Sequence, residues 1–173
     1  MFKKIELLAN VAIIVIAILL GTVLVKRYVW PTRQPSPPPV AQIQPGTKIN
    51  LPGVDWEKSK QTLVLALSDG CRFCSESGSF YQRLALEKSN SADVRLIAVL
   101  PQEITQGQTY LRKLGVAVDE VRQSTLSAMG VSGTPTLLLI DNTGTVKQSW
   151  LGKLPPDKET EVINLFRVPR AAS

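Results

Sequence analysis

The run Leu63-Val64-Leu65-Ala66-Leu67-Ser68-Asp69-Gly70-Cys71-Arg72-Phe73-Cys74 decides how this chain is read. Its first part is almost continuously apolar, the mark of a strand buried on both faces. Ser68-Asp69-Gly70 is turn chemistry. From Arg72 to Lys88, Phe73, Phe80, Tyr81, Leu84 and Leu86 recur with helical spacing and cover one face. The pattern is strand, turn, helix. Cys71 and Cys74 are the only cysteines in 173 residues, and they stand at the junction. Two thiols so spaced can close a small disulfide ring. The helix start supplies free N–H groups and a partial positive charge that favour a thiolate.

Working outward, residues 46–60 predict a short strand and turn leading in, and Thr62 to Leu67 the first buried strand. Val94 to Leu100 predicts a second strand, stopped by Pro101. Thr105 to Leu114 predicts a helix capped by Gly115, and Glu120 to Met129 another capped by Gly130. Thr136 to Ile140 is a third strand, and Asp141-Asn142-Thr143-Gly144 turns into a fourth, Thr145 to Trp150. Pro156 to Phe166 predicts a closing amphipathic helix. The order β-α-β-α-α-β-β-α implies an α/β domain with a central mixed sheet flanked by helices. In such open sheets, active groups lie at the carboxyl ends of strands, where Cys71 sits. Trp56 and Trp150 read as packing residues.

Composition narrows the chemistry. One cysteine pair is too few for a disulfide framework. The chain has no histidine, which excludes Cys/His zinc sites, HExxH metalloproteases, Cys-His nucleophilic pairs and c-type haem attachment. The net charge of +6 divides unevenly. Lys3, Lys4, Lys26, Arg27 and Arg33 against Glu6 place +4 near the N-terminus. From residue 46 on, fifteen basic residues face thirteen acidic ones, interspersed, so no nucleic-acid-binding patch is expected.

The N-terminal charges flank an apolar stretch. Leu7 to Val25 is interrupted only by Asn10, Gly21 and Thr22. As a helix it would be about 28 Å long, close to the hydrocarbon thickness of a bilayer. Tyr28 and Trp30 follow as interfacial anchors, and no small-residue cleavage site ends the stretch. Residues 1–29 are therefore expected to be an uncleaved transmembrane anchor. Pro31, Pro35, Pro37, Pro38, Pro39 and Pro45 make residues 30–45 an extended spacer reaching about 45 Å at ~3.1 Å per residue. Residues 46–168 form the domain and 169–173 a tail. Charge does not choose an orientation, because basic residues stand on both sides of the span.

Asp69-Gly70-Cys71-Arg72-Phe73-Cys74 after a buried strand, with Gly130-Val131-Ser132-Gly133-Thr134-Pro135-Thr136 before a later one, resembles the thioredoxin superfamily. Leu137-Leu138-Leu139-Ile140-Asp141-Asn142-Thr143-Gly144 is similar to its membrane-anchored periplasmic branch, the TlpA-like and redoxin-type proteins. The resemblance covers residues 46 to about 166. It implies a thioredoxin-like fold and thiol–disulfide oxidoreductase activity on protein substrates, with a redox partner recycling the pair. It places the domain on the extracytoplasmic side of a bacterial inner membrane, and it implies no cofactor beyond the Cys71–Cys74 couple. Cys71 matches the nucleophile and Cys74 the buried resolving thiol; Pro135 matches the family's cis-proline, and Thr134 the residue whose backbone pairs with substrate.

The departures are as informative. Gly70 stands where a tryptophan is usual. The position of the family's buried carboxylate is Leu65, so proton transfer would fall to Glu76, Asp69 or water; Glu76 otherwise reads as a solvated first-turn residue. Arg72 either lowers the Cys71 pKa or is a screened surface charge. Phe73 is either a substrate-facing apolar patch or a cover for the helix end. Two other classes compete. A peroxiredoxin-like peroxidase needs Pro-x-x-x-Thr-x-x-Cys, but Val64 and Ser68 occupy the Pro and Thr positions. A non-enzymatic binding module holding metal would need ligands beyond two cysteines.

Overall fold

Leu63, Leu65 and Leu67 point to one side of a strand and Val64 and Ala66 to the other, and all five are fully buried. That double burial places β1 (Gln61–Ala66) at the centre of the sheet in the computed structural model, which describes residues 11, 13–22, 42–89, 91 and 93–166. The other elements are α1 (Arg72–Glu76), α2 (Gly78–Ser89), β2 (Val94–Leu100), α3 (Ile104–Leu114), β3 (Glu120–Gln123), β4 (Thr136–Asp141), β5 (Val146–Leu151) and α4 (Pro156–Asn164). The sheet order is β3-β2-β1-β4-β5. β1 runs parallel to β2 and antiparallel to β4; β2–β3 is parallel and β4–β5 antiparallel. The expected mixed α/β sheet is present.

The two faces are covered differently. On one face Leu63, Leu65 and Leu96 pack with Phe80, Tyr81 and Leu84 of α2, Tyr110 and Leu111 of α3, and Val162 and Ile163 of α4. Gly107 lets α3 lie close, since a Cβ there would come within 3.2 Å of Leu100. On the other face Val64, Ala66, Ile97 and Val99 meet Ile43, Ile49, Leu51 and Val131 from loop segments and Met129 from a single 3-10 turn. Trp150 is buried on the helix-covered face, and Trp56 packs partly buried on the other.

Two expected helices come out differently. The run from Arg72 breaks at Ser77, whose φ/ψ of −89/5 leaves the helical region. Its hydroxyl donates to the Phe73 carbonyl at 2.8 Å, the back-bonding that bends helices. The helix expected from Glu120 to Met129 is instead the edge strand β3, a loop and a 3-10 turn over Ser127–Met129. Pairing of Ile97–Leu100 with Glu120–Gln123 prevails over local propensity. β3 is short and charged, as suits an edge, with Glu120 ion-paired to Arg122. Gly130 keeps its left-handed turn (φ 70), ending the 3-10 turn and not a helix. The fifth strand is therefore the element the sequence pattern concealed.

The domain also begins ahead of residue 46. Ile43 is buried, and its carbonyl accepts from Ser149 Oγ at 2.7 Å. Residues 13–22 are helical, and Ile13, Ile14, Ile16, Ile18, Leu19 and Leu20 are exposed. The anchor expected from Leu7 to Val25 extends beyond the described residues on both sides, and most of the spacer over 30–45 and the tail over 169–173 lie outside them. Among the described residues no helix is long and apolar enough to cross a membrane.

Candidate active site

The carboxyl end of β1 delivers the chain to the site. Leu67 N–H still bonds the Val99 carbonyl at 2.9 Å; then Ser68, Asp69 and Gly70 turn the chain. Gly70 has φ of 85°, a left-handed conformation in which a side chain such as tryptophan would be strained. Cys71 follows as the N-cap of α1, with extended φ/ψ of −74/112, and its Sγ accepts the Cys74 N–H at 3.3 Å. Cys71 is partly exposed and Cys74 fully buried, and both are free thiols.

The second half of the site comes from the far end of the domain. Thr134–Pro135 is a cis peptide bond immediately before β4. The Thr136 hydroxyl bonds the Gly133 carbonyl at 2.7 Å, and the Pro135 carbonyl accepts the Gly152 N–H at 2.7 Å. These bonds hold the Thr134 carbonyl against Cys71, whose thiol donates to it at 3.4 Å. Cys71, Cys74, Thr134 and Pro135 thus come together. Phe73, at 53% exposure, stands outside this contact set, on the surface beside it.

Burial raises the Cys71 pKa, but hydrogen bonds with the Cys74 thiol, with the Thr134 side chain and with the Cys74 and Phe73 backbone outweigh it. The thiol therefore ionises below the ordinary cysteine value. Burial, together with the hydrogen bond to Cys71, pushes Cys74 the other way, to about 12. Two thiols a turn apart are thereby made unequal: one ready to be a nucleophile, the other held protonated. In the reduced protein, alkylation by iodoacetamide should occur at Cys71 alone near neutral pH. Its rate should rise through a midpoint below that of a free thiol, because folding stabilises the thiolate. A midpoint at or above the free-thiol value would contradict this electrostatic arrangement.

Arg72 does not turn to the sulfur. Its Nε bonds Glu76 at 2.7 Å, and Lys153 reaches the same carboxylate at 3.0 Å. Glu76 ends α1 and is not a first-turn residue. Its bonds to Arg72 and Lys153 hold its pKa below the usual carboxylate range, which makes it a weak base. Asp69 is exposed, with its carbonyl bonded by Ser68. Leu65 is fully buried in the cluster that contains Cys74, so no carboxylate lies at that position. The hydroxyl groups packed in the cluster with Cys74 are phenols: Tyr110, whose Oη lies 3.4 Å from Ser75 Oγ, and Tyr81. In the sequence Tyr81 reads only as part of an apolar helix face; its i, i+7 spacing from Cys74 is the available signal. Among the described residues no group of three His, Cys, Asp or Glu is placed to hold a metal ion.

No family model and no curated protein matches this sequence. Solved structures do. A protein from Chlorobium tepidum assigned as thiol:disulfide interchange protein DsbE superposes with a TM-score of 0.57 at 22% identity, over 71% of this chain and 96% of that one. A thiol:disulfide interchange protein from a Bacteroides species gives 0.54 at 15% identity, over 76% and 91%. The thioredoxin domain of a thiol-disulfide oxidoreductase from Bacteroides vulgatus gives 0.53 at 15%, over 72% and 98%. The described domain has the thioredoxin fold, as the sequence resemblance implied.

Proposed function

We propose that this chain is a thiol–disulfide oxidoreductase acting on protein thiols and disulfides, tethered to a bacterial inner membrane with its domain on the extracytoplasmic side. The observation that carries the reading is the unequal thiol pair. Cys71 is partly exposed and favoured as thiolate by hydrogen bonds from the Cys74 thiol and the Thr134 side chain, while Cys74 is buried with its pKa raised. The similar solved structures, thiol:disulfide interchange proteins and a thiol-disulfide oxidoreductase, agree with it.

In the reducing direction the Cys71 thiolate attacks a substrate disulfide and one substrate thiolate leaves, giving a Cys71–substrate mixed disulfide. The Cys74 sulfur then bonds Cys71, and the second substrate thiolate leaves. Two electrons pass from the dithiol to the substrate, and the reverse sequence oxidises a dithiol. The backbone at Thr134 pairs with the extended substrate chain, a mode tolerant of side-chain identity. Phe73 gives that chain an apolar surface, and Arg72, fixed to Glu76, frames its edge. The pair needs a partner that restores its starting redox state. Insulin reduction by the domain tests the activity, and equilibration with glutathione assigns the direction of electron flow.

The tether rests on the apolar run from Leu7 to Val25 and on the exposed apolar side chains over residues 13–22. Such a surface is unfavourable in water. The full chain should remain in the membrane pellet after alkaline carbonate washing, whereas a chain starting at residue 42 should be released. In spheroplasts a membrane-impermeant thiol reagent should label Cys71. Release of the full chain by carbonate would remove the anchor, and protection of Cys71 would place the domain on the other side.

A further inference from the structure

The buried cluster that holds Cys74 contains a polar group with no assigned task. Tyr81 is fully buried, and its hydroxyl makes no hydrogen bond of good geometry; Ser77, the hydroxyl acting on it, spends its own proton on the Phe73 carbonyl. An orphaned buried hydroxyl costs free energy unless some state of the protein satisfies it. Its neighbours say which state. Cys74, Ser77 and Tyr81 lie along one side of the bent α1–α2 segment, and helical side chains lean toward the N-terminal end, so the phenol runs back toward the turn that carries Cys74. Cys74 and Tyr81 belong to one buried cluster, together with Tyr110. The other hydroxyls nearby are engaged. Ser77 Oγ donates to the Phe73 carbonyl at 2.8 Å, and Tyr110 Oη has Ser75 Oγ at 3.4 Å.

We propose that the Tyr81 hydroxyl is the hydrogen-bond donor that receives the Cys74 thiolate as it forms, taking the place of the carboxylate that Leu65 excludes. The inference rests on the redox reading of Cys71 and Cys74. Burial raises the Tyr81 pKa, an interaction with the Ser77 hydroxyl opposes it, and the charges of Cys74, Tyr110 and Cys71 raise it further. The phenol therefore keeps its own proton and acts as a donor, not as a base. In the resolving step Cys74 loses its proton to solvent while its sulfur bonds the Cys71 sulfur. The bond from Cys71 to the departing thiol breaks; that thiol leaves with the electron pair and takes a proton from solvent. Tyr81 lowers the cost of the transient buried thiolate, and so is a positioning residue acting through Cys74.

The test uses a mixed disulfide between Cys71 and glutathione and follows glutathione release against pH. Y81F keeps the ring and removes only the hydroxyl. Release should slow by roughly 10–100-fold, the scale of a lost hydrogen bond to a charged group. The slowing should hold at every pH below the Cys74 titration, while the melting temperature stays level or rises because no resting-state bond is lost. Unchanged release would overturn the proposal. So would slower release with a lowered melting temperature, which would mark an ordinary structural hydroxyl. Should Y81F fail to fold, a ring-fluorinated tyrosine at position 81, a more acidic donor, should speed release, and no acceleration would again overturn it. Failure of the wild-type domain to reduce insulin, with glutathione release still slowed in Y81F, would remove the protein-substrate reading and leave the donor role standing.

Discussion

Cys71→Ser should abolish insulin reduction, down to the rate of the added reductant alone, without unfolding the domain. The reason is separable into chemistry and structure. Only a thiolate attacks a disulfide at a useful rate near neutral pH, and a serine hydroxyl does not ionise there. Serine is nonetheless a favoured N-cap, and its Oγ can accept the Cys74 N–H that Cys71 Sγ accepts at 3.3 Å. The melting temperature should therefore change little while activity disappears. Retained reduction by Cys71→Ser would sink the assignment of the nucleophile and, with Cys74 fully buried, the oxidoreductase reading itself.

The second large effect belongs to Cys74→Ser. Attack by Cys71 should survive, somewhat weakened because the Cys74 thiol is one of the groups that lower the Cys71 pKa. Release should not survive, since resolution needs a second sulfur within reach of the first. Mixed disulfides with substrate proteins should accumulate, visible as reductant-sensitive bands of higher mass on gels, and peptide mapping should find them all on Cys71. The burial of Cys74 makes this one-sided: at 0% exposure it cannot meet a protein substrate before Cys71 does. Trapped partners found on Cys74 in a Cys71→Ser chain would reverse the two roles.

Much of the fold is legible because its strands are strongly apolar. Val94–Leu100 reads from the sequence at its observed limits, and β1, β4 and β5 differ only at their ends. β3 was not legible. Its one apolar residue, Val121, lies among Glu120, Arg122 and Gln123, and nothing in that pattern distinguishes an edge strand from a helix start. Only the open side of β2 makes it a strand. The bend at Ser77 was similarly hidden, since serine is compatible with a helix until its hydroxyl bonds the carbonyl of Phe73.

The site divides in the same way. Cys71 and Cys74 stand out because they are the only cysteines, and Thr134-Pro135 because of the segment around it. The proton-handling environment did not stand out. Glu76 looked available until Arg72 and Lys153 were found to occupy it, and Tyr81 looked like one more core aromatic.

By itself the sequence determined a buried strand running into a capped, thiol-bearing helix, because periodicity and turn chemistry are local properties. Tertiary structure alone decided what those thiols are. The Thr134 carbonyl reaches Cys71 across 63 residues of chain, and burial separates the ionisation of Cys71 from that of Cys74. Burial also leaves the Tyr81 hydroxyl without a well-formed hydrogen bond in the cluster that holds Cys74. Desolvation and long-range hydrogen bonds belong to the packed state, and no local pattern encodes them.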